Sequence, residues 1–406
     1  MSSGRRWTIL AVGTFGQAAT CSFLYGIPML LPALSDGGVS LFAGSLLVAA
    51  PMVGLMLTLV AWGAAADRYG ERVVIVTGVG IAAGLLVVGA TVPGVAALGV
   101  IFVLAGAFAA SVNAASGRVV MGWFPVTERG LAMGTRQTAQ PVGVALAALG
   151  LPPLARSAGV HVALLFPAGL CALAATLVWL LVADPPRPPR PAGVPPARSP
   201  YGGSADLARV HLASAMLVVP QFAVATFTLV YLVGQRDWDP AVAGRVIFGF
   251  LVAGALGRVA TGVWSDRVRS RLAPMRQLAV ASATLMLVIA AGAATGQWFV
   301  VLGFALAAVV TVADNGLAYT SVAELAGHEW AGRALGVQNT VQNLAAVATA
   351  PLLAAAIGDS RYALGFALVT IFPVLAVPLT PVRAERRRSR AEDVAAPDVV
   401  AAEVAQ

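Results

Sequence analysis

Charge is scarce in this chain: only 11% of its 406 residues are Asp, Glu, Lys or Arg, and no lysine occurs at all. Soluble domains carry about a quarter of their residues as charges, so a water-facing globular surface is excluded. With 59% hydrophobic residues, the bilayer is the solvent that fits. Cysteine is nearly absent. Cys21 and Cys171 both fall inside apolar runs, which implies packed thiols and no disulfide framework. The three histidines, His161, His211 and His328, lie far apart, without metal-ligand spacing. No Gly-Lys-Ser/Thr phosphate loop and no nucleophile elbow appear, which argues against nucleotide hydrolysis and acyl transfer. No catalytic residue, metal or cofactor is expected, and the chain reads as a non-enzyme.

What is present is a series of apolar runs, each long enough to cross a membrane at about 20 residues. They cover about 7–34, 40–63, 73–92, 95–120, 131–153 and 162–183, then 210–233, 240–263, 276–295, 297–323, 334–357 and 362–382. The pair meeting near Gln297 is hard to divide. Arg5 and Arg6 before the first run resemble a signal-peptide start, but the run is too long and lacks a small-x-small cleavage site. Thr20 before Cys21 also disfavours a lipoprotein, so the run is read as the first membrane helix. The fold class is therefore all-α and polytopic, with 12 transmembrane helices. Residues 1–183 form one six-helix bundle, 184–209 a Pro/Arg-rich linker, 210–382 a second bundle and 383–406 a disordered tail.

The net charge of +8 is carried by arginine in short loops, a topology signal and not a nucleic-acid groove. Twenty of the 26 basic residues fall in one set of loops, and Arg156, Arg236 and Arg361 in the other. The positive-inside rule then puts both termini and the linker in the cytoplasm of a cell (inner or plasma) membrane.

The halves repeat. Gly63-x-x-x-Asp67-Arg68 recurs as Gly262-x-x-x-Asp266-Arg267 at an offset of 199, and Asn113, Gly130, Gly134 and Gln140 recur as Asn315, Gly332, Gly336 and Gln342 at 202. Gln17 and Gln221 stand 204 apart. Duplicated bundles place a solute site between them at mid-membrane. The loop Gly63-x-x-x-Asp67-Arg68-x-Gly70-x-Arg72 is similar to the signature loop of the major facilitator superfamily, and the resemblance spans residues 1–383. It implies two pseudo-symmetric bundles, a cavity lined by the first, fourth, seventh and tenth helices, and alternating access. It also implies a cytoplasmic gate. Asp67 is expected near the N-terminus of another helix, Arg68 and Arg72 near Glu128, and Asp266, Arg267 and Arg271 near Glu324 or Arg333.

Ionisable groups at bilayer depth are costly and mark function. Asp314 is the carboxylate well inside a span, and counting 1.5 Å per residue puts Arg258 at similar depth. The two are expected to pair in one state, with Asp314 as the proton-coupling group; a permanent structural pair is the bland reading. Arg136, Gln137 and Gln140 share roughly one face of the fifth helix, and Arg136 suits an oxyanion unless it snorkels to the surface. Gln338 and Gln342 stand at matching places in the eleventh helix. Gln17, Tyr25, Asn113, Gln221, Asn315 and Tyr319 complete the candidate substrate lining, each also able to serve as helix glue. Pro141 and Pro220 are candidate bends.

The leading reading is a monomeric secondary transporter of a small polar solute, with an organic anion and proton coupling as its sharper form. Its partners are the lipid bilayer, the solute and protons. Three rivals stand beside it: proton-coupled efflux of drugs or amphipathic compounds, weakened because Gln140 and not glycine precedes Pro141; a transporter-like ligand sensor; and a membrane-embedded enzyme, disfavoured because no intramembrane acid–base or metal cluster appears.

Overall fold

The computed structural model describes residues 3–185, 199–358 and 360–385. Among them no strand occurs, and 12 helices are long and apolar enough to cross a membrane. We number them α1 (Gly4–Leu24), α2 (Phe42–Tyr69), α3 (Glu71–Gly89), α4 (Val95–Trp123), α5 (Val126–Ala158) and α6 (Val160–Leu181) in the first half. The second half holds α7 (Asp206–Arg236), α8 (Val242–Arg267), α9 (Leu272–Thr295), α10 (Phe299–Ala326), α11 (Ala331–Ile357) and α12 (Tyr362–Glu385). The twelve expected spans are all present, in two six-helix bundles.

Several boundaries shift, each for a local reason. The first run does not continue to residue 34: α1 stops at Leu24, and a 3-10 turn, Ile27–Leu30, leads into a short helix, Leu31–Asp36. Pro28 and Pro32 supply no N–H to a continuing helix, which explains the break. Gly296, at φ +68°, separates α9 from α10 where the hydrophobicity ran on unbroken. Pro220 sits inside an unbroken α7, whereas Pro141 lies just after an interruption of α5 at Gln137–Thr138. Residues 206–209 and 383–385, assigned to linker and tail, are helical. Positions 186–198 and 386–406, where most of that linker and tail fall, lie outside the described residues.

Four apolar cores show how the bundles meet. One joins both halves, packing Leu10, Val120, Phe124 and Met133 against Leu207, Leu272, Leu317 and Leu335. It lies at the end that carries the arginine-rich loops. The other three stay within one bundle each, two in the first, around Phe23 and Phe102 and around Ile9 and Val79, and one in the second, around Phe304 and Phe366. Hydrophobic burial therefore holds the bundles together at the arginine-rich end and also gives each bundle a core of its own.

Within each bundle the last span anchors the third. Gly70, at φ +98°, turns α2 directly into α3, and a Cβ there would lie 2.3 Å from an Asp184 carboxylate oxygen. That carboxylate accepts from the Arg72 backbone N–H at 2.8 Å. In the second bundle Glu385 likewise accepts from the backbone N–H groups of Arg271 and Leu272 at the start of α9. Both place a carboxylate where helix N–H groups lack partners.

Candidate functional site

A cavity of about 60 Å³ lies between the bundles. Ten of the twelve proposed lining residues surround it: Gln17, Tyr25, Asn113, Gln137, Gln140, Gln221, Arg258, Asn315, Tyr319 and Gln342. Its framework is pseudo-symmetric. Gln17 Nε2 donates to Asn113 Oδ1 at 3.0 Å across α1 and α4, and Asn315 Nδ2 donates to Gln221 Oε1 at 3.0 Å across α10 and α7. Buried amides must be paired to be tolerated, and here each pair also fixes a wall.

Arg136 and Gln338, matching positions in α5 and α11, sit behind the wall and not on it. Arg136 is 1% exposed. Its Nε donates to Ser116 Oγ at 2.8 Å, Nη1 to Gln137 Oε1 at 2.8 Å and Nη2 to the Asn113 carbonyl at 3.0 Å, and the guanidinium carbon lies 5.5 Å from the Tyr319 ring centre. This geometry excludes snorkelling. Gln338 is fully buried, with its Nε2 donating to Ser214 Oγ and its Oε1 2.6 Å from His211 Nδ1.

The expected Asp314–Arg258 pair does not form in this state. Arg258 lines the cavity and donates from Nη1 to the main-chain carbonyl of Gln137, in the other bundle. Asp314 is 2% exposed at the break between Phe299–Ala313 and Asn315–Ala326, and its Oδ2 has no hydrogen-bond partner. Both residues are buried, but a count along each helix says nothing of rotation about its axis. Neither Arg136 nor Arg258 has a carboxylate within 4 Å among the described residues.

At the arginine-rich end two mirrored latches join the bundles. Asp67, at the end of α2, accepts from the backbone N–H groups of Gly332 and Arg333 at 2.9 and 3.1 Å, at the start of α11. Asp266, at the end of α8, accepts from those of Gly130 and Leu131 at 2.9 and 2.8 Å, in α5. The helix-terminus placement expected of Asp67 is thus seen twice. Glycine permits the approach: a Cβ on Gly63 would lie 2.2 Å from the Gly332 carbonyl oxygen, and one on Gly262 2.2 Å from that of Gly130.

Among the other gate residues, Arg271 lies near Glu324 as expected, and the remaining partners differ. Glu128 pairs with Arg6 at 2.7 Å, because α1 begins beside it. Arg72 instead lies over the Trp179 ring, 4.5 Å from its centre, and Arg68 lies over Tyr69. Glu324 is 3.5 Å from Arg129 and 3.8 Å from Arg271, and Arg271 also pairs with Asp266. Arg267 forms no ion pair among those of the described residues. Arg118, which the loop pattern gave no reason to include, binds Asp67 at 2.6 Å and Glu71 at 3.0 Å. Cys21, Asn339 and Asn343 also line the cavity; Asn339 and Asn343 belong to the polar α11 stretch, while Cys21 carried no signal beyond its apolar surroundings.

Comparison with known proteins agrees with this architecture. The family model described as Major Facilitator Superfamily matches residues 10–350 and 224–398. An uncharacterized MFS-type transporter, Rv2994, of Mycobacterium tuberculosis (strain ATCC 25618 / H37Rv) is 44% identical over 382 residues, covering 94% of this chain and 86% of that one. Among solved structures, the human organic anion transporter MFSD10 (TETRAN) superposes with a TM-score of 0.70 at 18% identity, covering 94% of this chain and 100% of that chain. The E. coli fucose:proton symporter FucP does so with 0.69 at 14%, covering 93% and 98%. Helices, mirrored latches and matched sequence converge: this chain belongs to the major facilitator superfamily.

Proposed function

We propose that the protein is a secondary transporter of a small organic anion, working by alternating access, with its arginine-rich face in the cytoplasm. One observation carries this reading: two buried guanidiniums, Arg258 on the wall of a cavity whose polar lining is mostly amide and tyrosine and Arg136 behind it, with no carboxylate within 4 Å of either among the described residues. Buried charge is normally paired; here Asp314 acts on Arg258 only from beyond contact distance, which leaves the direct partner for the solute. Arg258 meets the solute, and Arg136 holds Gln137 and polarises the wall from behind. The fold neighbours include an organic anion transporter and sugar:proton symporters, but at such low identity they support the architecture alone.

Asp314, with a carboxylate oxygen unpartnered next to this site, is the proposed proton carrier. The latches and the shared core describe the state closed to the cytoplasm.

The test is a thermal-shift screen of purified protein followed by counterflow in proteoliposomes, using lactate, benzoate and citrate against glucose and tetraphenylphosphonium. Stabilisation and counterflow by an anion are expected. A response confined to tetraphenylphosphonium refutes the anion reading, and stabilisation without counterflow favours a sensor.

A further inference from the structure

The two bundle interfaces next to the cavity are built alike but finished differently. Gly134 of α5 packs on the backbone of α8, where a Cβ would lie 2.5 Å from the Arg258 carbonyl oxygen. Its repeat, Gly336 of α11, packs on α2, where a Cβ would lie 2.7 Å from the Leu59 carbonyl oxygen. Leu59 therefore occupies the place of Arg258, at the same offset of 199 that relates the two signature loops. The second difference directly follows the cavity glutamines Gln140 and Gln342: Pro141 in α5 is matched by Asn343 in α11 at the 202 offset.

Those two differences meet at one atom. Pro141 has no N–H, so the carbonyl four residues earlier, that of Gln137, loses its helical donor. Arg258 supplies the replacement from the opposite bundle. In α11 the helix runs unbroken through Asn339 and Asn343, and the Asn339 carbonyl accepts from Asn343 Nδ2 at 2.8 Å. Of the two matched positions, the one whose proline frees a carbonyl is the one with an arginine across the interface.

We propose that the Gln137 main-chain carbonyl is a resident stand-in for the solute's oxyanion: it occupies Arg258 while the cavity is empty, clasps α5 to α8, and is displaced when an anionic solute takes the guanidinium. Pro141 and Arg258 together form this clasp. It rests on the anion reading above and adds its coupling step, since solute binding breaks a bond between bundles at the site itself. The guanidinium prefers a carboxylate to a neutral carbonyl because charge-assisted hydrogen bonds are the stronger. The exchange therefore runs toward solute without leaving Arg258 bare, and the released carbonyl faces the cavity.

The experiment is a four-variant cycle on the full-length protein in detergent, read by thermal melting: wild type, Arg258→Gln, Pro141→Ala and the double variant. The Pro141→Ala change restores an N–H to the Gln137 carbonyl. Arg258→Gln should therefore lower the melting temperature by several degrees in the wild-type background and far less in the Pro141→Ala background. Additive effects overturn the clasp. Should Arg258→Gln not fold, Arg258→Lys, which keeps charge but loses the planar fork, takes its place in the same cycle. The displacement step is read from the anion that stabilises the wild type in the lactate, benzoate and citrate panel. It should bind Pro141→Ala about tenfold tighter, the worth of one competing hydrogen bond to a charged group. Unchanged affinity overturns displacement. Failure of every anion in the panel refutes the anion reading and with it displacement, while the ligand-free cycle still decides whether the clasp exists.

Discussion

Weakening the latches should open the cytoplasmic side by an amount that follows from their hydrogen bonds. Asp67 accepts from two backbone N–H groups and from Arg118, and Asp266 from two backbone N–H groups and from Arg271. An asparagine in either place keeps one acceptor oxygen and turns an NH2 toward groups that are themselves donors. Losing one charge-assisted bond costs about 1.5 kcal/mol at the low end of its range, or roughly tenfold in an equilibrium. If the cytoplasm-closed form holds about 99% of the resting population, one substitution lifts the open fraction to about 9% and both together to about half. Cys21 lines the cavity and offers the readout. In a Cys171→Ala background and inverted vesicles, a membrane-impermeant maleimide should label Cys21 roughly tenfold faster in Asp67→Asn and about fiftyfold faster in Asp67→Asn/Asp266→Asn. Unchanged labelling in a folded double variant would refute the argument that these carboxylates hold the bundles shut.

Gly262→Ala, whose new methyl would sit 2.2 Å from the Gly130 carbonyl oxygen, should reach the membrane yet raise Cys21 labelling in the same direction as Asp266→Asn. Arg136→Lys should lose several degrees of melting temperature, because one ammonium cannot reproduce the bonds to Ser116, Gln137 and the Asn113 carbonyl. Asp314→Asn should keep counterflow of the solute while losing uptake driven by a pH gradient; gradient-driven uptake at wild-type rate would remove Asp314 from the coupling. Asn315→Ala and Gln221→Ala should each cost about 1 kcal/mol in reversible unfolding and show coupling in a double-mutant cycle, since they share one bond.

The span count and the repeat were legible in the sequence because both depend on signals that survive without coordinates: run length for the first, constant offset for the second. The repeat even marked residues that meet, since Gln17 and Asn113 bond in one half as their repeats Gln221 and Asn315 do in the other. What failed was rotation. Arg136 and Gln137 are neighbours on α5, yet one lies behind the wall and the other on it. Asp314 and Arg258 are both buried, yet no ion pair joins them. Charge partners across the latch were equally hidden: Arg118 reaches Asp67 from 51 residues away, and nothing near either residue announces it. Proline was read as a bend at both Pro141 and Pro220, but only tertiary structure shows that the carbonyl Pro141 frees is claimed by an arginine of the other bundle.

The carboxylates of Asp184 and Glu385 have a practical bearing on how the molecule can be handled. Each sits on the closing stretch of its bundle and ties it back to the start of the third helix of that bundle. A reporter domain spliced between the bundles should therefore enter after residue 185, and one added at the C-terminus should leave Glu385 in place. Cutting ahead of either carboxylate would untie a bundle from within, and the resulting loss of yield would be misread as intolerance of the fusion itself.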